Sequence, residues 1–226
     1  MSTEQNIEIP SEIPVMTLRE VVLFPKAMMP LKIFEPRYRE MLEDILQGNR
    51  MFAIVAEREN IAHGETCEEP PFEVGTIGLV RVSKKHEDGT SFVLLQGLER
   101  VKINSIVREE PYRMIEVKPW PTRVDEQAEG VRDELSTELQ RNHDLGGGVT
   151  QQMLEYLNPL DDDVSFVDLT IFSICDDYFR KQAMLEVQSL AKRGRMIIDD
   201  LILENKRLSL LREALGNPDD DQSDRN

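Results

Sequence analysis

Ser83, Lys84 and Lys85 stand side by side, and a serine beside a lysine is the raw material of a serine–lysine hydrolase. Such a nucleophile needs a lysine whose charge is suppressed by burial, so that a free amine can take the hydroxyl proton. The neighbouring Glu87-Asp88-Gly89 is a hairpin-turn signal, which places the pair in solvent, where charged lysines blunt a strand end. His63, Glu65 and Cys67 could be imagined around a metal ion, but two soft ligands in a polar loop do not close a zinc site. His63, His86 and His143 are isolated, with no H-E-x-x-H among them. Gly146-Gly147-Gly148 lacks the lysine of a phosphate-cradling loop and reads as a flexible connection. Cys175 ends the apolar run from Ile171 and reads as a small core residue. The pattern predicts no catalytic residue, no cofactor and no metal, and hence no enzyme.

The chemistry that remains is binding. Phe24-Pro25-Lys26-Ala27-Met28-Met29-Pro30 carries apolar side chains between two prolines, which stiffen a segment and disfavour regular sheet pairing. Methionines adapt to varied apolar partners. Phe24, Pro25, Met28, Met29 and Pro30 are therefore candidate binding residues, against the alternative that Phe24, Met28 and Met29 plug one end of a barrel. Trp120 is a further candidate, at the junction of the two halves described below. Glu35, Arg37 and Tyr38 resemble chemistry too, but a carboxylate near a helix start complements the helix dipole and an arginine there pairs with an acid, which is structure rather than catalysis.

The charge balance narrows the partners. The 226 residues hold 43 acidic against 27 basic side chains, a net charge of −16. Up to Trp120 there are 20 acidic and 15 basic residues; beyond it there are 23 and 12. Such a surface repels phosphate backbones, so a nucleic-acid partner is disfavoured unless Arg81, Lys84, Lys85, Arg100 and Lys102 build a basic face. The first residues carry no basic-then-apolar leader. No apolar run approaches the ~20 residues that span a bilayer. Two distant cysteines without paired spacing read as reduced thiols. The expectation is a soluble cytoplasmic protein with no membrane partner; its oligomeric state is not encoded legibly.

Two halves must position these residues. Residues 10–120 hold short apolar runs: 50–56, 74–82, 91–96, 101–107 and 112–117 read as strands, and their tight turns suggest a closed or nearly closed barrel. One helix interrupts them. It begins at Pro36, carries Tyr38, Met41, Leu42, Ile45 and Leu46 on one face, and stops at Gly48. Pro119-Trp120-Pro121 marks a boundary. From 121 to 216 the period becomes helical. Val131, Leu135 and Leu139 mark a first helix and Met153, Leu154 and Leu157 a second. The Asp161-Asp162-Asp163 run caps a third, residues 178–187 form a fourth, and a long last helix from Leu190 ends at Gly216. Residues 217–226 read as a disordered acidic tail. The fold class is α+β, a barrel followed by a helical bundle.

The segment from Ile13 to Phe24-Pro25, with Pro30-Leu31-Lys32-Ile33-Phe34-Glu35-Pro36-Arg37-Tyr38, resembles the N-terminal, substrate-binding domain of the Lon ATP-dependent proteases and the stand-alone proteins carrying that domain. Phe72 to Gly78, Asp88-Gly89-Thr90 and Gln96-Gly97-Leu98-Glu99-Arg100-Val101 extend the likeness. The helical half, notably Leu169 to Leu190, resembles it more weakly. The resemblance implies a PUA-like β-barrel ahead of the helices and a noncatalytic module that recognises unfolded or damaged polypeptide. It implies an adaptor or regulator of proteolysis and leaves open a full-length protease in trans as partner. It also implies that the motor and peptidase parts are missing from a chain this short, and that the long helix stops where the protease continues toward its ATPase. Because PUA-like barrels are also used on RNA, RNA binding is the alternative.

Overall fold

The computed structural model describes residues 8–58 and 69–215. They fall into two compact units, one up to Pro121 and one from Thr122. His63, Glu65, Cys67 and the acidic tail lie outside the described residues.

The first unit contains β1 (Glu12–Leu18), β2 (Met28–Ile33), α1 (Pro36–Leu46), β3 (Met51–Ala56), β4 (Val74–Lys85), β5 (Ser91–Arg108) and β6 (Met114–Pro119). The strand order is β2-β5-β4-β3-β1-β6. Only β1 and β3 run parallel, with Val15 opposite Ala53; the other strand pairs are antiparallel. β5 pairs also with β6, Val101 opposite Pro119 and Arg108 opposite Met114. The hydrogen-bonded order therefore runs in a ring through β1, β3, β4, β5 and β6, and leaves β2 outside it. Alternation along each strand turns one set of side chains inward. Ile13, Val15, Met51, Ala53, Val55, Ile77, Val101, Ile115 and Val117 form this core, the isoleucine, valine and methionine side chains each stabilising the fold by roughly 1.5–3 kcal/mol relative to exposure.

Three details differ from the sequence expectation. The runs at 91–96 and 101–107 are one 18-residue strand, β5, which passes through Gly97 without ending. Gly97 is there because the Phe24 carbonyl lies where a Cβ would sit, and a register shift between Ile77 and Gly78 absorbs Leu98. Met28-Met29-Pro30 is regular strand rather than an irregular loop, with Pro30 opposite Leu94. A proline is tolerated because β2 lies at the end of the strand order, where its missing N–H has no ladder to break. Finally, α1 starts at Pro36, but the left-handed residue that turns the chain after it is Arg50, at φ 62°, rather than Gly48.

Arg37 lies over the Tyr38 ring, 4.5 Å from its centre, and grips Glu69 through both Nη atoms and Glu35 through Nε. Tyr38 is buried, and burial pushes its phenol up to about 12. The native state keeps a proton there that the unfolded chain loses near pH 10. This contribution is thus fully present below about pH 10 and is lost as pH rises toward 12, by roughly 2–3 kcal/mol in total. Urea titrations at stepped alkaline pH should show the decline, and Tyr38→Phe should flatten it; an unchanged pH profile in that variant would refute the assignment.

The second unit contains a 3-10 turn at Glu126–Ala128 and five helices: α2 (Val131–Asp144), α3 (Gln151–Leu157), α4 (Asp163–Ile174), α5 (Tyr178–Glu186) and α6 (Leu190–Leu215). Local chemistry starts them. The side chains of Thr150, Asp162 and Asp177 each accept a backbone N–H from the first turn. Gly146, at φ 75°, turns the chain after α2. Leu135, Leu139, Phe166, Val167, Ile171 and Ile198 form the centre of the packing, and Arg193 and Asp168 are ion-paired inside it at 2.8 Å.

Candidate functional site

Beyond the ring, the ends of β4 and β5 run on together and carry β2 on their outer edge. Paired residues in a sheet point to the same side, so the register defines two faces of this three-stranded extension. On one face Met29, Ile33, Val80, Val93 and Leu95 are buried. The other face is built of three rows. Met28 stands beside Gln96, which stands beside Leu79; Pro30 beside Leu94 beside Val82; Lys32 beside Phe92 beside Lys84. The first row joins the ring interior, since Leu79 packs on its core.

This second face is open. Met28 is 40% exposed, Val82 52% and Phe92 45%; Pro30 is exposed and Leu94 half-buried. The result is an apolar strip one strand pair wide on each side of β5, with a charged rim. Lys32 and Lys84 flank Phe92 at the outer end. At the inner end Arg81, in the bulge between Val80 and Val82, donates from Nε to Gln96 Oε1 at 2.6 Å. In the turn between β4 and β5, Asp88 is held below its ordinary carboxylate range by hydrogen bonds from the Thr90 N–H and hydroxyl, helped by the charge of Lys32.

The sequence-predicted residues divide over this geometry. Met28 and Pro30 lie on the open face. Met29 points to the opposite, buried side, and Phe24 is fully buried. Pro25 is half-buried in the turn that Lys26 and Ala27 tie to Gly97, with Lys26 N–H donating to the Gly97 carbonyl at 2.8 Å and Gly97 N–H to the Ala27 carbonyl at 2.9 Å. Trp120 is half-buried after β6; its N–H donates to the Arg100 carbonyl, and the Lys102 ammonium lies 5.3 Å from the ring centre. That is the other half of β5, so Trp120 is not brought to the strip. Val82, Phe92, Leu94, Lys32 and Lys84 are the members that sequence reasoning missed. Phe92-Val93-Leu94-Leu95 is an unbroken apolar run that carries no mark of sidedness, and only its odd-numbered residues are buried. The lysines flanking the apolar runs were the one available signal.

The serine–lysine pair is not assembled. Ser83 and Lys84 are successive strand residues and point to opposite faces. The basic face that RNA binding needs is not assembled either. Lys85 turns to the side opposite Lys84 and pairs with Glu43 at 2.6 Å, Lys102 pairs with Glu73, and Arg100 is buried. Among the described residues no group of three or more His, Cys, Asp or Glu side chains could hold a metal ion. No helix among them is long and apolar enough to cross a membrane.

The helical unit has a concavity of its own, about 890 Å³, lined by Val149, Met153, Cys175, Arg180 and Leu201 among others. Its two arginines are each held by an acid: Arg180 forms a two-point pair with Asp200, and Arg207 with Glu204. Burial pushes the Cys175 thiol up, which keeps it protonated and unreactive.

Known proteins with similar sequences and folds share this architecture. The Lon protease of Trichlorobacter lovleyi is 24% identical over 210 residues, covering 92% of this chain and 26% of that protein. The Lon protease of Nitratidesulfovibrio vulgaris is 30% identical over 201 residues, covering 84% of this chain and 24% of that protein. The chain thus spans about a quarter of the length of these relatives. Two solved structures share the fold. The N-terminal domain of the Mycobacterium avium complex Lon protease superposes with a TM-score of 0.65 at 15% identity, covering 84% of this chain and 97% of that one. A Lon N-terminal domain protein from Xanthomonas campestris gives 0.61 at 17% identity, covering 84% and 98%. Residues 12–202 match the family model described as the ATP-dependent protease La (LON) substrate-binding domain, and the chain belongs to that family.

Proposed function

We propose that this chain is a noncatalytic polypeptide-recognition module that serves proteolysis as an adaptor or regulator, and that the open face of β2, β5 and β4 is where it holds its guest. The observation that carries the reading is the exposure of Met28, Val82 and Phe92 on one sheet face, while Met29, Ile33, Val80, Val93 and Leu95 on the reverse side are buried. A contiguous exposed apolar surface is the feature by which a folded protein takes up apolar segments that unfolded chains expose. A flat strip with a methionine at its edge accepts many side-chain shapes, as a module serving many clients requires. Family membership supports the same reading, and the two-cysteine composition fits a cytoplasmic setting. A full-length protease acting in trans is the partner to which such a module would hand its guest.

The test is a binding titration of the full chain with reduced, carboxymethylated casein as an unfolded guest. Phe92→Ser together with Met28→Ser should weaken binding about 10-fold, because two half-exposed side chains would no longer bury apolar area against the guest. Both side chains lie on the surface, so urea stability should be nearly unchanged. Unaltered affinity in the double variant would refute the face; no binding by the parent chain would refute the function.

A further inference from the structure

We infer that this face selects apolar polypeptide segments flanked by aspartate or glutamate, an inference that rests on the binding reading above. The chain carries an excess of acid, and several cations of the first unit are paired with it. Arg19 pairs with Glu57, Arg37 with Glu35 and Glu69, Lys85 with Glu43, Lys102 with Glu73 and Arg113 with Glu109. Lys32 and Lys84 stand on the two sides of Phe92 in one row; neither makes a direct ion pair among the described residues, although the charge of Lys32 also reaches Asp88 in the adjoining turn. Arg81 closes the inner end, its guanidinium hydrogen-bonded to the neutral Gln96 amide. Cations at both ends of an apolar strip match a guest whose greasy centre is bracketed by carboxylates.

The overall charge of −16 opposes such a guest only at long range. At physiological salt the Debye length is ~8 Å, comparable to the spacing of the strip's own side chains, so the local lysines decide. Lysine stems also cover apolar surface while the ammonium stays in water, which lets Lys32 and Lys84 meet both the centre and the flanks of a guest. Direct capture of the apolar centre and charge selection of its flanks are separable contributions, and the experiment separates them.

Three synthetic peptides with one apolar centre, Leu-Val-Phe-Leu, carry two glutamates, two serines or two lysines at each end. Each is titrated into the full chain at about 0.15 and about 0.5 M salt, on the order of one and several physiological strengths. At the lower salt the glutamate peptide should bind about 3- to 10-fold more tightly than the serine peptide, and the lysine peptide more weakly than either. At the higher salt the three should converge. Lys32→Glu with Lys84→Glu should invert the order; Lys84→Glu alone, which touches no ion pair among the described residues, should reduce the glutamate peptide's advantage while keeping the parent's urea midpoint. Equal binding of the glutamate and serine peptides, with Phe92→Ser still weakening both, overturns the selectivity and leaves the binding reading standing. Failure of all three peptides to bind overturns both.

Discussion

Asp168→Ala should lower the stability of the helical unit by about 3–5 kcal/mol, the usual effect of orphaning a buried charge. Asp168 and Arg193 are 1% and 0% exposed. Burial pushes the Arg193 guanidinium below its ordinary value, and the neighbouring Asp168 opposes that shift. Arg193 has other partners: Nη1 donates to the Val187 carbonyl at 2.7 Å and Nη2 to Thr122 Oγ1 at 3.1 Å. These hold the guanidinium in place but supply no compensating charge. With the carboxylate gone, a cation stays in a site closed to water. Urea unfolding followed by far-UV circular dichroism reads the loss. Asp168→Leu with Arg193→Met, which removes both charges and keeps the volume, should recover most of it. A single variant that loses less than ~1 kcal/mol, the range of an exposed pair, would show that water reaches Arg193.

Gly97→Ala should be the most damaging single methyl group in the first unit. The position of its Cβ is occupied by the backbone carbonyl of Phe24, with the Pro25 Cα close behind, and backbone cannot swing aside as a side chain can. Either β5 or the 24–27 turn must move, and both hydrogen bonds between Gly97 and that turn are strained. Overpacking of this kind typically costs ~1–3 kcal/mol. The lesion reaches the proposed binding face as well, since Met28 follows the turn directly. Gly97→Ala should therefore lower the urea midpoint and weaken casein binding together, whereas Phe92→Ser with Met28→Ser lowers binding alone. An unchanged midpoint would mean that the turn is not held as described.

The helical unit is largely legible in the sequence because its signals are local. Apolar spacing places Leu135 and Leu139 on one side of α2, and the Asp161-Asp162-Asp163 run announces α4, which Asp162 caps; the caps Thr150 and Asp177 emerge only in the structure. The apolar stripe from Tyr38 to Ile45 likewise locates α1, with Pro36 at its start. The sheet is less legible because pairing joins residues far apart in sequence. Nothing near Pro30 says that its neighbour will be Leu94, or that the strand will be an edge that tolerates proline. The same limit hid the open face of β2, β5 and β4. Its centre comes from positions 28–32, 79–84 and 92–96, and only the register reveals which member of each alternating pair faces outward. Phe24 and Met29 are as apolar as Met28 but meet the opposite fate, and sidedness alone separates them.

Pro30 has a last consequence. β2 ends the strand order, and a free strand edge beside greasy side chains is the usual seed of cross-β fibres. An imino acid midway along that edge withholds a donor that an incoming strand would need. A segment lying against this face would therefore not extend the sheet past Pro30, and the exposed apolar edge is kept from seeding an ordered ladder.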